Sequence, residues 1–150
     1  MTIEKATIED AEEILKLQKT VYVSEAELHE DYSIPPLTQS LSDIKRQFVT
    51  HTFLKVIEDG NIIASVRAYE GNGTCYINRL IVDTEYQRKG IGTQLMDLIE
   101  KEFSHLKRYE VFTGKKSDRN LKLYDKLGYK FFAQQNLNAK TILVYLEKRV

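Results

Sequence analysis

YINRLIVDTEYQRKGIGTQLMDLIE, residues 76–100, carries three signals in succession. Tyr76–Val82 is rich in Ile, Leu and Val, with Ile77, Leu80, Ile81 and Val82 close together, which predicts a strand in mid-sheet with both faces covered. Asp83–Gly92 is a polar and basic turn. A helix then follows, with Ile91, Leu95, Met96, Leu98 and Ile99 as its apolar positions. Inside the turn, Gln87-Arg88-Lys89-Gly90-Ile91-Gly92 sets two glycines where the helix begins. Glycine there lets the backbone take a positive φ and approach a ligand. The first N–H groups of a helix lack intrahelical partners, and the helix dipole makes that end partly positive. A phosphate group suits such an end, and Arg88 and Lys89 add full positive charge. The competing reading is a tight turn with no ligand. A P-loop is excluded because no Gly-Lys-Ser/Thr follows, and the dinucleotide fingerprint lacks its third glycine at Leu95.

Working outward, Thr2–Thr7 reads as a first strand, and helical spacing runs from Ala11 to about Val23 with Thr7 or Asp10 as caps. Glu25–Thr38, polar, acidic and interrupted by Pro35-Pro36, reads as a loop, with a short turn of helix at its start as the alternative. Ser40 or Ser42 caps a second helix with Leu41, Ile44, Phe48 and Val49 on one face. Thr52–Glu58 and Asn61–Glu70 form a hairpin through Asp59-Gly60, and Gly71-Asn72-Gly73 turns into the central strand. Beyond the glycine-led helix come a strand at Lys107–Thr113, a short helix at Arg119–Leu127 closed by Gly128, and strands at Tyr129–Gln135 and Thr141–Lys148. The order β-α-α-β-β-β-α-β-α-β-β predicts one α/β domain over residues 1–150. Its mixed sheet has six to seven strands flanked by about four helices, with one parallel pair across the strand–helix–strand unit.

Two motifs in register carry a resemblance. Leu80-x-Val82 with Gln87-x-x-Gly90-x-Gly92, followed at the expected distance by Ser117–Tyr129 (SDRNLKLYDKLGY), resembles the signature of the GCN5-related N-acetyltransferase (GNAT) superfamily. The resemblance covers nearly the whole chain and agrees with the element order. It implies acetyl-coenzyme A as cosubstrate, with its pyrophosphate on Gln87, Arg88, Lys89, Gly90, Ile91, Gly92 and Thr93, and its pantetheine arm on the backbone of Leu80, Ile81 and Val82 in a split of the parallel pair. It implies that Tyr124 protonates the departing thiolate. A phenol of pKa near 10 suits this role because it is protonated at neutral pH. The competing role for Tyr124 is packing against Leu121, Leu123 and Leu127.

The chain departs from the family pattern at three places. Ser117 stands where many members have asparagine, so Ser117 or Asn120 is the expected cofactor contact, and either also suits a helix cap. Thr84 replaces a frequent proline. No glutamate base occupies the central strand, which offers Tyr76 and Asn78. Glu70, Glu110 or water held by Tyr76 are the alternatives. Lys115, Lys116 and Arg119 are candidates for a nucleotide 3′-phosphate, against an ordinary solvated surface. Glu25, Glu27, Glu30 and Asp31 suggest an acidic loop drawing a cationic small-molecule or lysine-like amine, against an ordinary solvated loop.

The expected reaction is N-acetylation of a primary amine by direct attack in a ternary complex. The competing classes are a non-catalytic sensor of coenzyme A or an acyl-coenzyme A, and a plain phosphate-binding module. The acceptor's identity and a longer acyl donor stay open. Family analogy also offers a homodimer through the C-terminal strands or helices.

Composition sets the outer bounds. The 150 residues suffice for one domain, with 42% hydrophobic and 29% charged residues. Lys plus Arg equals Asp plus Glu at 22 each, which argues against nucleic acid or an anionic membrane as partner. MTIEKATIED has no apolar core of a signal peptide, and the single Cys75 fits a buried strand position in a reducing cytoplasm. His29, His51 and His105 have no metal-ligand spacing, so no metal is expected, and Gly-x-Ser-x-Gly is absent.

Overall fold

In the computed structural model, which describes residues 1–150, β1 (Thr2–Lys5), β2 (Thr52–Glu58), β3 (Asn61–Gly71), β4 (Thr74–Val82), β5 (Arg108–Gly114), β6 (Lys130–Asn136) and β7 (Ile142–Arg149) form one sheet. Its order is β1-β2-β3-β4-β5-β7-β6, which puts the central strand of the opening motif fourth of seven. The helices are α1 (Ala11–His29), α2 (Pro35–Thr38), α3 (Leu41–Thr50), α4 (Ile91–Glu102) and α5 (Asp118–Lys126). The mixed α/β architecture expected from the pattern is therefore present.

The two tight hairpins form for the expected reason. Asp59 and Gly60 (φ 51° and 78°) and Asn72 and Gly73 (φ 51° and 78°) all take positive φ, as turns matched to strand twist require. Each face of the sheet then has its own core. Ala64, Val66, Ala68, Cys75 and Ile77 pack under Leu95, Met96 and Ile99 of α4. Phe53, Ile62 and Ile81 pack under Ile14, Leu17 and Ile44 of α1 and α3 on the other side. Leu98, expected on the apolar face of α4, is 36% exposed, one step round from Ile99, which is fully buried.

One segment differs from expectation. The polar run from Glu25 is not loop: α1 continues to His29 and stops at Glu30, whose φ of 51° is left-handed and whose N–H bonds back to Ala26 and Glu27. Glu, Ala and Leu are good helix formers, so polarity here marked an exposed helix face rather than a loop. Pro35-Pro36 opens the short α2 at its first turn, where proline is tolerated. This extension brings the end of α1 against the C-terminal end of β5, where His29 meets Gly114 and the Lys116 N–H.

β4 and β5 decide where a site can form. Their parallel pairing covers only Thr74–Tyr76 against Arg108–Glu110. Beyond that the strands part, and β5 continues to pair with β7 as far as Gly114. On its other side β4 carries a bulge. Ser65 faces Ile81 and Arg67 faces Asn78, so β4 has one residue more than β3 in that interval, and Arg79 takes φ 54° there.

Candidate acyl-transfer site

The parting strands leave two communicating hollows. One, about 320 Å3, lies over the N-terminus of α4 and is lined by Leu80, Val82, Gln87, Arg88, Gly90, Ile91, Gly92, Thr93, Arg119 and Asn120 among others. The second, about 220 Å3, opens towards the α1 side, between Ile34, Pro35 and Pro36, the bulge at Arg79 and Leu80, and Phe112 and Leu143. Tyr22, Glu25, Leu80 and Asn120 line both and mark the junction.

The first hollow is built by the glycine turn. Gly90 has φ 80°, and a Cβ there would meet nothing within 4 Å, so glycine serves backbone conformation and keeps the space in front open. The first intrahelical bond of α4 runs from the Gln94 N–H to the Gly90 carbonyl at 3.1 Å. Earlier N–H groups therefore face the hollow without helical partners. The Gln87 amide donates to the Val82 carbonyl (2.9 Å) and its oxygen accepts from Arg119, which ties the turn to β4 and α5. A Cβ on Gly92 would touch Leu123 at 3.5 Å, so this residue seats α4 against α5. A set of free N–H groups, two left-handed residues (Arg88 and Gly90) and flanking arginines suits a pyrophosphate.

The residues singled out from the sequence fall into three groups. Gln87, Arg88, Gly90, Ile91, Gly92 and Thr93 line the hollow together with Leu80 and Val82, while the Ile81 side chain is buried in the α1 core and leaves only its backbone available. Lys89 lies over the Tyr86 ring, its Nζ 5.4 Å from the centroid, outside the lining. Asn120 reaches the junction and donates to Thr113 Oγ1 at 3.2 Å. Ser117 is buried beside the site, and its hydroxyl donates to Glu25 rather than lining either hollow. Of the three cations considered for a nucleotide phosphate, Arg119 alone lines the first hollow.

Tyr124 lies at the base of the second hollow, 6% exposed, with no hydrogen-bond partner for its hydroxyl inside the protein. Burial, reinforced by nearby Tyr22 and Glu25, pushes its pKa above the ordinary phenol value. The group keeps its proton throughout the physiological range, as a proton donor must.

Glu25, read from the sequence as one charge of an acidic loop, stands at the junction itself. The other three acids have different places. Asp31 is buried and accepts from Ser33 (2.5 Å), Thr141 (2.6 Å) and Asn138 (2.7 Å), tying the α1–α2 connection to the β6–β7 hairpin. Glu27 and Glu30 are exposed. The four acids therefore do not form one acidic surface. His29 braces the same region: its Nδ1 meets the Glu25 carbonyl (2.9 Å) and its Nε2 faces the Lys116 N–H (3.3 Å), which together require the neutral Nδ1-protonated tautomer.

Tyr22 and Arg79 had no role in the sequence reading. The available signal was Arg79 itself, a cation inside a strand otherwise patterned for burial on both faces. The alternatives considered for a base lie apart from both hollows: Glu70 meets His105 at 2.7 Å, and Glu110 pairs with Arg108 at 2.9 Å. Cys75 is buried, and its thiol is pushed up to about 12, mainly by burial, as an inert core residue requires.

Comparisons with known proteins bear on the fold and the family. Among curated proteins, UPF0157 protein YqkA of Bacillus subtilis (strain 168) is 28% identical over 125 residues, which are 83% of this chain and 35% of that protein. The chain thus spans about a third of the length of this curated relative. The structure of smu.2055 from Streptococcus mutans UA159 superposes with TM-score 0.84 at 17% identity, over 99% of both chains. The paia N-acetyltransferase from Thermoplasma acidophilum, solved with coenzyme A, gives TM-score 0.71 at 22% identity over the full length of both chains. At these identities the solved structures speak for the fold alone. The sequence profile described as Acetyltransferase (GNAT) family matches residues 9–129, which include the glycine turn, the bulged strand and the tyrosine helix, and on that match the chain belongs to the GNAT acetyltransferase family.

Proposed function

We propose that this protein transfers an acetyl group from acetyl-coenzyme A to a primary amine by direct attack, with both substrates bound together. One observation carries the reading: β4 and β5 separate after three paired positions, directly over the glycine-led start of α4, and Tyr124 faces the gap. The parted edge of β4 beyond Tyr76 offers unpaired backbone to an extended amide-bearing arm, and the N-terminus of α4 offers N–H groups to its pyrophosphate.

In this reading the thioester supplies an activated acyl group, and the chain's residues position and protonate. The second hollow holds the neutral amine against the carbonyl carbon. A carbon–nitrogen bond forms and the carbon–sulfur bond breaks. Glu25, at the junction, receives the proton shed by the attacking nitrogen, and Tyr124 gives its proton to the departing sulfur. Most of the acceleration comes from holding amine and thioester together, with β4 backbone donors facing the carbonyl oxygen.

The test is calorimetric titration with acetyl-coenzyme A, with Gly90→Asp as control, followed by two-substrate kinetics. Wild-type binding abolished by Gly90→Asp, with intersecting initial-rate lines, is the expected result. Absence of binding to the wild type, or parallel lines signifying an acetylated enzyme, overturns it.

A further inference from the structure

Two neighbouring arginines lack an anion. Arg67, on β3, is 2% exposed, yet no carboxylate lies within ion-pair distance of it. Its Nη2 donates to Gln18 and, at 3.4 Å, to Gln39, and its guanidinium lies 5.0 Å over the Phe53 ring. Its Nη1 is buried with no partner. Arg79, at the bulge of β4, lines the hollow itself, and its Nε is likewise buried without a partner. No ion pair or side-chain hydrogen bond in the protein engages Arg79; the arginines that do pair with acids are Arg46, Arg108 and Arg149. The two guanidiniums also repel each other. That repulsion and burial together bring the Arg67 pKa down to about 9, burial being the larger cause.

A buried cation such as Arg67 is normally paired, because desolvation is costly without a counter-charge, and the half-buried Arg79 has the same need at its enclosed Nε. Here the neighbouring acids are committed elsewhere. Asp43 accepts from Gln39 at 2.8 Å and pairs with Arg46 at 3.2 Å, and Asp31 is held by Ser33, Asn138 and Thr141. Glu25 is the one carboxylate in the lining of the hollow. Tyr22 stands within the field of both charges, since Arg79 and Glu25 act on it in opposite senses. The hollow thus has a positive pole at Arg79, a negative pole at Glu25, and apolar walls of Ile34, Pro36, Phe112 and Leu143.

We propose that the acceptor is an apolar aminocarboxylate, of the size of a free amino acid with an apolar side chain, whose carboxylate pairs with Arg79 and whose amino group lies at Glu25. Arg67, which lines neither hollow, adds positive potential without touching the substrate. This deepens the function proposed above and rests on it. It reverses the charge expected of the acceptor from the acidic residues of the sequence, because three of those four acids do not face the hollow.

The test is thiol release from acetyl-coenzyme A with three matched acceptors: phenylalanine, phenylalanine amide, and phenethylamine, which has no carboxyl carbon at all. Leucine with isoamylamine forms a second set, and Nα-acetyl-lysine amide, blocked at both ends and without a carboxylate, supplies a cationic acceptor. Wild type, Arg79→Gln and Arg79→Lys are compared, with calorimetric binding of acetyl-coenzyme A and a thermal melt of each variant recorded separately. A kcat/KM for the amino acids about a hundredfold above their carboxylate-free partners is expected, as is usual for a desolvated charge pair. Arg79→Gln brings that ratio towards one, and Arg79→Lys restores part of it. Equal or better turnover of phenethylamine or blocked lysine overturns the carboxylate assignment and leaves the acetyltransferase reading standing. So does a ratio unmoved by Arg79→Gln. Acetyl-coenzyme A binding without turnover of any acceptor overturns both.

Discussion

In the proposed reaction Tyr124 is the proton donor and Glu25 the proton acceptor, and each makes a separate prediction. Tyr124 is held protonated by burial, so Tyr124→Phe removes a proton donor while leaving the ring in place. Turnover falls by about a hundredfold or more, the usual range for loss of a positioned acid, while calorimetric affinity for acetyl-coenzyme A changes little. A non-catalytic sensor would show no such split. Glu25→Gln keeps the shape of the junction and removes its proton acceptor. It lowers kcat by about a hundredfold in steady-state assays and leaves acetyl-coenzyme A affinity within about threefold. In the proposed reaction Ser117, which donates to Glu25, acts through that carboxylate. Its effect in Ser117→Ala follows that of Glu25 in kcat and does not appear in cofactor affinity.

The elements position these residues through a few backbone choices. Gly90 opens α4 at φ 80°, where a Cβ is strained although nothing blocks it, while Gly92 has ordinary helical geometry and a 3.5 Å neighbour. Gly90→Ala therefore destabilises by about 1 kcal/mol in urea unfolding, and Gly92→Ala leaves stability unchanged or raises it by up to about 1 kcal/mol. Gly114 illustrates a different constraint. A Cβ there would lie 2.5 Å from His29 Nε2, so the strand end and α1 touch with no room for a side chain. Gly114→Ala expels the imidazole from its bonds to the Glu25 carbonyl and the Lys116 N–H. It costs about 1–3 kcal/mol by chemical denaturation and lowers activity through displaced Glu25.

At the scale of the molecule, two half-sheets meet at three paired positions and diverge, and α1 with α2 closes one side of the gap. The closure is pinned by Asp31, whose carboxyl is held well below its ordinary value near 3.8 by hydrogen bonds, chiefly from Ser33, then Thr141 and Asn138. A carboxyl lowered in the folded state contributes stability that is present above the unfolded pKa and lost as pH falls below it. Thermal melts from pH 6 to pH 2, a range bracketing about 4 as the unfolded carboxylate value, will show an acid-side loss that Asp31→Asn reduces. An identical acid profile in the variant would show that the tie at Asp31 carries no such linkage.

The local elements were legible in the chain because their causes are local. Alternation and helical spacing place the strands and helices, Asp59-Gly60 and Asn72-Gly73 set the hairpins, and Gly90 and Gly128 mark one helix start and one helix end. The glycine turn and the tyrosine helix, each complete within a short window, indicated the family in the same way. Tertiary structure alone decided which polar residues share the site, because their partners are distant in sequence. Ser117 meets Glu25 across 92 positions, and Thr141 meets Asp31 across 110. A cluster of acids in sequence was thereby dispersed in space, one to the junction, one to a buried tie and two to solvent. The cation at Arg79 acquired meaning only when β4 parted from β5 and left it facing a cavity without a counter-ion. Charge pattern along a chain does not report charge pattern around a cavity, since helix and strand geometry send neighbouring side chains to opposite faces.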